Sequence, residues 1–411
     1  MKIYLVGGAV RDQLLGLEVH ERDYVVVGST PDEMLELGYK SVGKDFPVFL
    51  HPETKEEYAL ARLERKVSAG YTGFTTDCSK DVTLEDDLKR RDLTINAIAQ
   101  DCDGNIIDPH NGQLDLKNRV LRHVSQAFTE DPVRILRLAR FAARFAKLGF
   151  TVDAKTNNLM QLMVEDGEVD ALVAERVWRE TERALGEDAP QVFFQVLNNC
   201  GALKKLFPEV YNLYGVPNPP KHHPEIDTGI HTMMVLEQAA KLSNNPRVRF
   251  AALVHDLGKA TTPKDLWPSH HGHEQRSVKL VDKLCARFKI PKNYQKLAVK
   301  VAEFHGVCHR AFELRPDTIA RLLKQLDAFR NPDDFFDFLL ACTADSRGRT
   351  GFETREYTQA DYLLQCYNAA KSIKSTLFIE EGLEGKELAN AMYNAQIKAI
   401  TVVKANFPSP Q

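Results

Sequence analysis

Three short stretches carry the side chains best suited to chemistry. In "HERDYVVVG", Glu21 and Asp23 stand two residues apart at the start of a β-branched run, so both carboxylates project from one face of a strand. Like charges held that close repel, and an oxygen-only pair with room for water and phosphate oxygens suits Mg²⁺. In "EDPVRILRLARFAARF", Arg134, Arg137, Arg140 and Arg144 fall on one side of a helix turning about 100° per residue, with Ile135, Leu138, Phe141, Ala142 and Phe145 supplying the apolar side. An anion is expected to meet that basic side. In "VRFAALVHDLGKATTP", His255 and Asp256 close an apolar helix. His231, His270, His271, His273, His305, His309 and Asp345 lie in neighbouring stretches and could join them. A His-Asp dipeptide alone can be a local hydrogen-bonded pair, so its weight comes from that company.

The elements needed to position these groups are legible in outline. "KIYLV" and "DYVVV" read as strands and "AVRDQLLG" as a helix stopped at Gly16. "STPDEMLEL" reads as a helix capped by Ser29 or Thr30 with Pro31 in its first turn, and "PVFLH" and "EYALAR" as further strands. In "GGAVRD", Gly7 and Gly8 occupy a strand-to-helix turn where backbone N–H groups can approach a phosphate, and Arg11 follows on the helix. In "EDDLKRRDLTINAIAQD", Lys89, Arg90 and Arg91 precede an apolar stretch read as a helix, and their convergence with the arginine helix is what phosphate recognition requires. Beyond Asp115 the periodicity is helical almost throughout, interrupted at "LYGVPNPPKHHPEID", Leu213 to Asp227, by four prolines and a glycine. The expected architecture is an α/β head and a long helical body. Phe193, Phe194 and Phe207 read as core, while Arg119, Arg122, Lys204 and Lys205 read as solvated basic positions.

A chain of 411 residues exceeds the roughly 250–300 at which a single core stops growing, so two or more domains are expected. No apolar run reaches the ~20 residues of a membrane span, which argues against a membrane partner. The scattered seven cysteines and an N-terminus without an apolar leader point to a cytoplasmic protein. A formal charge of −3 places any nucleic-acid binding in local clusters.

Taken together and in this order, "GGAVRD", the spaced acids of "ERD", "RRDLTINAI" and "EDPVRILRLARF" resemble the class II tRNA nucleotidyltransferases, the CCA-adding enzymes, of the DNA polymerase β superfamily. The similarity spans essentially the whole chain and is nearest the bacterial members with an added HD phosphohydrolase domain. It implies an α+β fold: a polymerase β-like nucleotidyltransferase head, a small mixed sheet with helices, followed by an all-α body containing the HD domain. The boundaries expected are a head at 1–115, a helical neck and body at 116–224 for nucleotide selection and tRNA binding, an HD domain at 225–350 and a helical tail at 351–411. The resemblance implies template-independent addition of C, C and A to tRNA 3′ ends from CTP and ATP. Gly8, Arg11, Arg91, Arg137 and Arg140 would hold the nucleotide, Glu21 and Asp23 would bind Mg²⁺, and Asp131 with Arg134 would read the base edge. Glu21 departs from the Asp of many relatives, which lengthens the arm of one ligand. Arg144 is expected to stay solvated. A neighbouring strand could bring Glu57 in as a third carboxylate, or leave it a solvated acid.

The order of His231, His255, Asp256 and Asp345 resembles the HD phosphohydrolases, which implies these four as metal ligands, with His273 and His305 as possible additions. Mixed imidazole and carboxylate ligation favours a transition metal, Ni²⁺ first, or Mn²⁺, Co²⁺ or Zn²⁺. The implied activities are phosphatase, 2′-nucleotidase and 2′,3′-cyclic phosphodiesterase, in a monomer or homodimer. Three rivals stand beside this reading: a bacterial poly(A) polymerase, an HD nucleotide hydrolase whose head only binds RNA, and a (p)ppGpp synthetase/hydrolase, which typically places its HD domain first. The first commonly carries an "RRFRL"-like segment where this chain has "GKDFPVFLH", Gly43 to His51.

Overall fold

The computed structural model describes residues 1–42, 48–66, 74–220 and 223–408, with the side chains of 64–66 and 74–76 excepted. Residues 43–47 of "GKDFPVFLH" lie outside the described residues. The chain forms two compact units, Met1–Leu206 and Phe207–Gln411.

The first unit begins with β1 (Lys2–Val6), the helix Gly8–Leu14 and β2 (Asp23–Val27). The helix Pro31–Glu36 follows, where Thr30 and Glu33 form a reciprocal capping box ahead of Pro31. Then come β3 (Lys40–Ser41), β4 (Val48–Leu50), β5 (Glu57–Leu60), the hairpin β6 (Leu63–Lys66) and β7 (Phe74–Asp77), and the short strands β8 (Ala99–Gln100) and β9 (Ile106–Ile107). Seven of these make one sheet in the order β3-β4-β5-β2-β1-β8-β9. All its neighbours are antiparallel except β2 and β5, which run parallel. Alternation along the strands divides the apolar residues between two cores: Val6, Val25 and Ala61 pack with Leu84 and Leu88, whereas Val26 and Leu60 pack with Met34 and Phe49. A sheet buried on both faces leaves its strand ends as the place for chemistry, and Asp23 sits at such an end.

The helices Val133–Phe145, Ala174–Gly186 and Pro190–Asn199 complete this unit. Phe193 and Phe194 are fully buried there, and Phe207 is buried in the second unit, as core residues should be.

The second unit is helical. Thr228–Leu242, Pro246–Val254, His273–Phe288, Lys292–His309 and Pro332–Arg347 surround its centre, with Thr358–Lys371 and Gly385–Asn406 beyond. Small residues allow close approach, with Ala239, Ala252 and Ala344 packed around Val235. Among the described residues no helix is long and apolar enough to cross a membrane.

Candidate active sites of the head and the HD centre

The head presents an open cleft of about 650 Å³. Its acidic wall follows from the sheet register. Asp23 opens β2 and pairs laterally with Glu57 of β5, and Glu21 precedes the strand by two residues; all three carboxylates line the cleft. Desolvation raises the Asp23 pKa; Arg91 opposes the rise and the charge of Glu21 adds to it. An oxygen-only donor set whose charge is held at a cost is one that a hard divalent cation fits.

The opposite wall is basic. Gly7 takes φ +70 at the strand-to-helix turn, and a Cβ there would stand 2.9 Å from Nη1 of Arg91, so a glycine keeps that arginine's place open. Gly8 begins the helix and faces the cleft with Arg11. The Arg11 guanidinium is buried between Phe141 and Phe145, 5.1 Å from each ring centroid, and bonds Asn96 Oδ1 at 2.6 Å. Arg134, Arg137, Arg140 and Arg144 all line the cleft from one helix. Arg137 Nε donates to Asp92 at 2.8 Å and Arg140 Nε to Glu180 at 2.8 Å. Although burial alone would raise it, the Asp92 pKa is held well below the carboxylate range, chiefly by Arg137 and Asn96.

One expectation changes here. Arg144 is not a solvated residue: its Nη2 bonds Asp12 at 2.9 Å, and Asp12 also pairs with Arg11. Asp131 and Arg134 both line the cleft, and each has a protein partner in this structure. Arg176 takes the Asp131 carboxylate in two bonds of 3.0 and 2.6 Å, and Arg134 Nη1 donates to the Ala127 carbonyl at 2.7 Å. The helix Ala174–Gly186, which lies in the stretch expected only to be broadly helical, brings Arg176, Arg179, Glu180 and Arg183 to the cleft. Its pattern "ERVWRETER" repeats the arginine spacing of the first helix and could have revealed it.

The second unit gathers the expected HD residues. His231 Nε2 lies 3.0 Å from Asp345 Oδ1, and His255 Nε2 lies 3.2 Å from Asp256 Oδ2 and 3.6 Å from Asp345 Oδ1. His273 and His305 join them, with Nε2 atoms 3.2 and 3.5 Å from Asp256 Oδ1 and 3.2 Å from each other. Gly258 allows this approach, since a Cβ there would collide with the His273 carbonyl at 2.1 Å. Each of the four imidazoles turns Nδ1 to a main-chain carbonyl: His231 to Gly348, His255 to Ala252, His273 to His270 and His305 to Val301, at 2.7–3.0 Å. A carbonyl only accepts, so Nδ1 carries the hydrogen and the neutral ring offers a lone pair at Nε2. Four such lone pairs converge on two buried carboxylates. His255 Nε2 and Asp256 Oδ1 are buried with no hydrogen-bond partner, which is the state a metal ion would relieve. Desolvation would lower the His255 pKa, but the charges of Asp256 and Asp345 outweigh it and push it up to about 10. Thus the residues fit a divalent metal, and a proton stands in its place without one.

Three further groups surround the centre. Lys259 Nζ reaches Asp256 Oδ2 at 2.7 Å and Asn218 Oδ1 at 3.0 Å. His309 Nε2 lies 2.6 Å from Asp345 Oδ2, and its Nδ1 lies 2.7 Å from the Tyr357 hydroxyl. Glu225 faces His223 and His231. His270 instead bonds Thr262 and the Pro217 carbonyl, outside the cluster.

An acid-and-arginine cleft on this sheet defines a nucleotidyltransferase head, here joined in one chain to an HD-type centre. Family comparisons agree: residues 3–122 match the poly A polymerase head domain, 149–213 the probable RNA and SrmB-binding site of polymerase A, and 228–331 the HD domain. The multifunctional CCA protein of Thioalkalivibrio sulfidiphilus is 63% identical over 407 residues, covering 99% of this chain and 100% of its own, and that of Teredinibacter turnerae is 58% identical, covering 98% of each. The chain belongs to the multifunctional CCA protein family. A solved CCA-adding enzyme, apo form II, shares the fold at 20% identity with a TM-score of 0.66, covering 99% of this chain and 89% of its own. The Thermotoga maritima CCA-adding enzyme complexed with tRNA does so with a TM-score of 0.63, covering 99% and 92%.

Proposed function

We infer that the chain adds and repairs the 3′-terminal CCA of tRNA in the cytoplasm, using CTP and ATP at the head and hydrolysing phosphate esters at the HD centre. The observation that carries the first activity is the lateral pairing of Asp23 with Glu57, beside Glu21, opposite an arginine wall. Glu21 and Asp23 would hold Mg²⁺, with Glu57 as a third carboxylate, and the ion when bound supplies Lewis acidity toward the 3′-hydroxyl and the α-phosphate. Gly8, Arg11, Arg91, Arg137 and Arg140 orient the triphosphate and offset its charge, while Asp131 and Arg134 present donors and acceptors to the base. The HD residues His231, His255, Asp256 and Asp345, with His273 and His305, would hold a transition metal, Ni²⁺ first, which supplies Lewis acidity for phosphatase, 2′-nucleotidase and 2′,3′-cyclic phosphodiesterase chemistry. Membership of the multifunctional CCA protein family favours CCA addition over poly(A) synthesis.

The test offers tRNA lacking CCA together with CTP and ATP. Extension that stops after three nucleotides supports the reading; a long A tract sinks it, and so does nucleotide transfer that survives in Asp23→Ala. For the HD centre, His255→Ala should lose both bound transition metal and phosphatase activity while CCA addition continues.

A further inference from the structure

His231 differs from the other imidazoles of the HD centre in what holds its far nitrogen. His255 and His305 each turn Nδ1 to a neutral carbonyl alone, and His273 Nδ1 meets the His270 carbonyl at 2.9 Å with the part-exposed Glu274 carboxylate farther off at 3.4 Å. His231 Nδ1 lies 2.9 Å from the Gly348 carbonyl and also 3.0 Å from Oε1 of Glu225. The same carboxylate oxygen lies 2.9 Å from Nδ1 of His223, and the other oxygen accepts the Thr350 N–H at 3.4 Å. The Glu225 side chain is 2% exposed. Glu225, Gly348 and Thr350 all fall outside the 228–331 span matched by the HD domain, so nothing in that match accounts for this arrangement.

We propose that Glu225 is a positioning residue of the HD centre, a buried carboxylate that orients His231 through its Nδ1–H and makes it the strongest imidazole donor of the set. Glu225 sits on the Nδ1 side of the ring, whereas Nε2 faces Asp345, so the carboxylate acts through the imidazole and is not itself a ligand at that centre. A charged acceptor on Nδ1–H fixes the tautomer and raises the electron density at Nε2, an effect a neutral carbonyl produces only weakly. His223 gives the carboxylate a second N–H donor, and Thr350 ties it to the chain next to Gly348. The carboxylate, the carbonyl and the ligand therefore form one connected support at the end of the helix Pro332–Arg347 that carries Asp345. The inference rests on the reading of the cluster as a metal centre.

The experiment is calorimetric titration of the full metal-free chain with Ni²⁺ and, separately, Mn²⁺, taking as the HD isotherm the part abolished by His255→Ala. Glu225→Gln, which keeps the shape and one acceptor, should weaken that isotherm about 10- to 100-fold with its stoichiometry unchanged. Glu225→Asp should recover part of the loss, and CCA addition should be unaltered in both variants, which separates the effect from misfolding. Equal affinity in wild type and Glu225→Gln overturns the proposal. Loss of a whole bound equivalent overturns it too, because His223, Glu225 and His231 would then be ligating an ion of their own. If the wild-type chain shows no isotherm sensitive to His255→Ala, the metal-centre reading itself fails, a result distinct from either.

Discussion

Replacing Glu180 by Gln tests whether the arginine wall is held by buried charge. The Glu180 side chain is 2% exposed and that of Arg140 is 9% exposed, with 2.8 Å between Oε2 and Nε. Removing one partner of a buried pair costs about 3–5 kcal/mol when the other charge is left uncompensated. Two features reduce this: glutamine retains an acceptor, and Glu187 stands 3.7 Å from Arg140 Nη1. A loss of about 2 kcal/mol is then expected, below the cost of an uncompensated charge and within the ~1.5–3 kcal/mol of a hydrogen bond to a charged group. For a unit of the size of Met1–Leu206, 1 kcal/mol corresponds to about 2–4 °C, so its thermal midpoint should fall by about 4–8 °C. Burial shields the pair, so the drop should persist in high salt, unlike any effect of mutating the exposed Lys147–Asp188 pair. Steady-state kinetics should show KM for CTP and ATP rising about tenfold, or about 1.4 kcal/mol, with KM for tRNA unchanged. A midpoint shift below about 1 °C would refute the energetic argument, and a full shift with unaltered nucleotide KM would reduce the pair to scaffolding.

Other expectations follow from the same geometry. Arg134→Ala should blur the choice of CTP and ATP over UTP and GTP more than it weakens tRNA binding; an equal loss for all four nucleotides in a competition assay contradicts a base-reading role. Glu57→Gln should lower kcat for nucleotide addition at least about tenfold, at the low end of losses around metal sites, and unchanged turnover removes it from the site. At the HD centre the His255 pKa stands above its usual 6.5, at about 10, so its protonation stabilises the metal-free fold fully below pH 6.5, and this is lost as pH rises through about 10. Within that window a metal must displace the proton, so its apparent affinity should climb by up to tenfold per pH unit, with close to one proton released per ion; calorimetry in buffers of different ionisation enthalpy reads both.

Local signals were readable where local physics decides. "KIYLV" and "DYVVV" became strands with those boundaries, and Thr30 with Pro31 started a helix, because strand alternation and capping act over a few residues. What strand pairs with what is set by the whole sheet, so Glu57 could only be suspected until the parallel register set it beside Asp23. The same holds for Arg144, whose partner Asp12 is 132 residues away, and for Asp131, whose partner Arg176 is 45 residues away. The histidines and aspartates of the HD centre were legible as residue types in order; Glu225 was not, because a glutamate in a proline-rich connection looks solvated until folding places it between two histidines. The arginines of Ala174–Gly186 carry a plain helical spacing, but which face of that helix meets the cleft is set only by packing against Val133–Phe145.

The four carbonyl-anchored imidazoles also bear on how the HD centre acquires its ion. His305 is fastened to Val301 within its own helix, and His255 and His273 to carbonyls three residues back, so the donor set is shaped by backbone already folded. Loading then orders little that was mobile, in contrast to small zinc modules whose folding is driven by the metal. The rate of uptake should be governed by shedding of water from the ion and by access to the cluster, and chelation should leave a folded chain ready to accept a different metal. The identity of the ion in the cell would in that case follow metal supply as much as the ligands themselves.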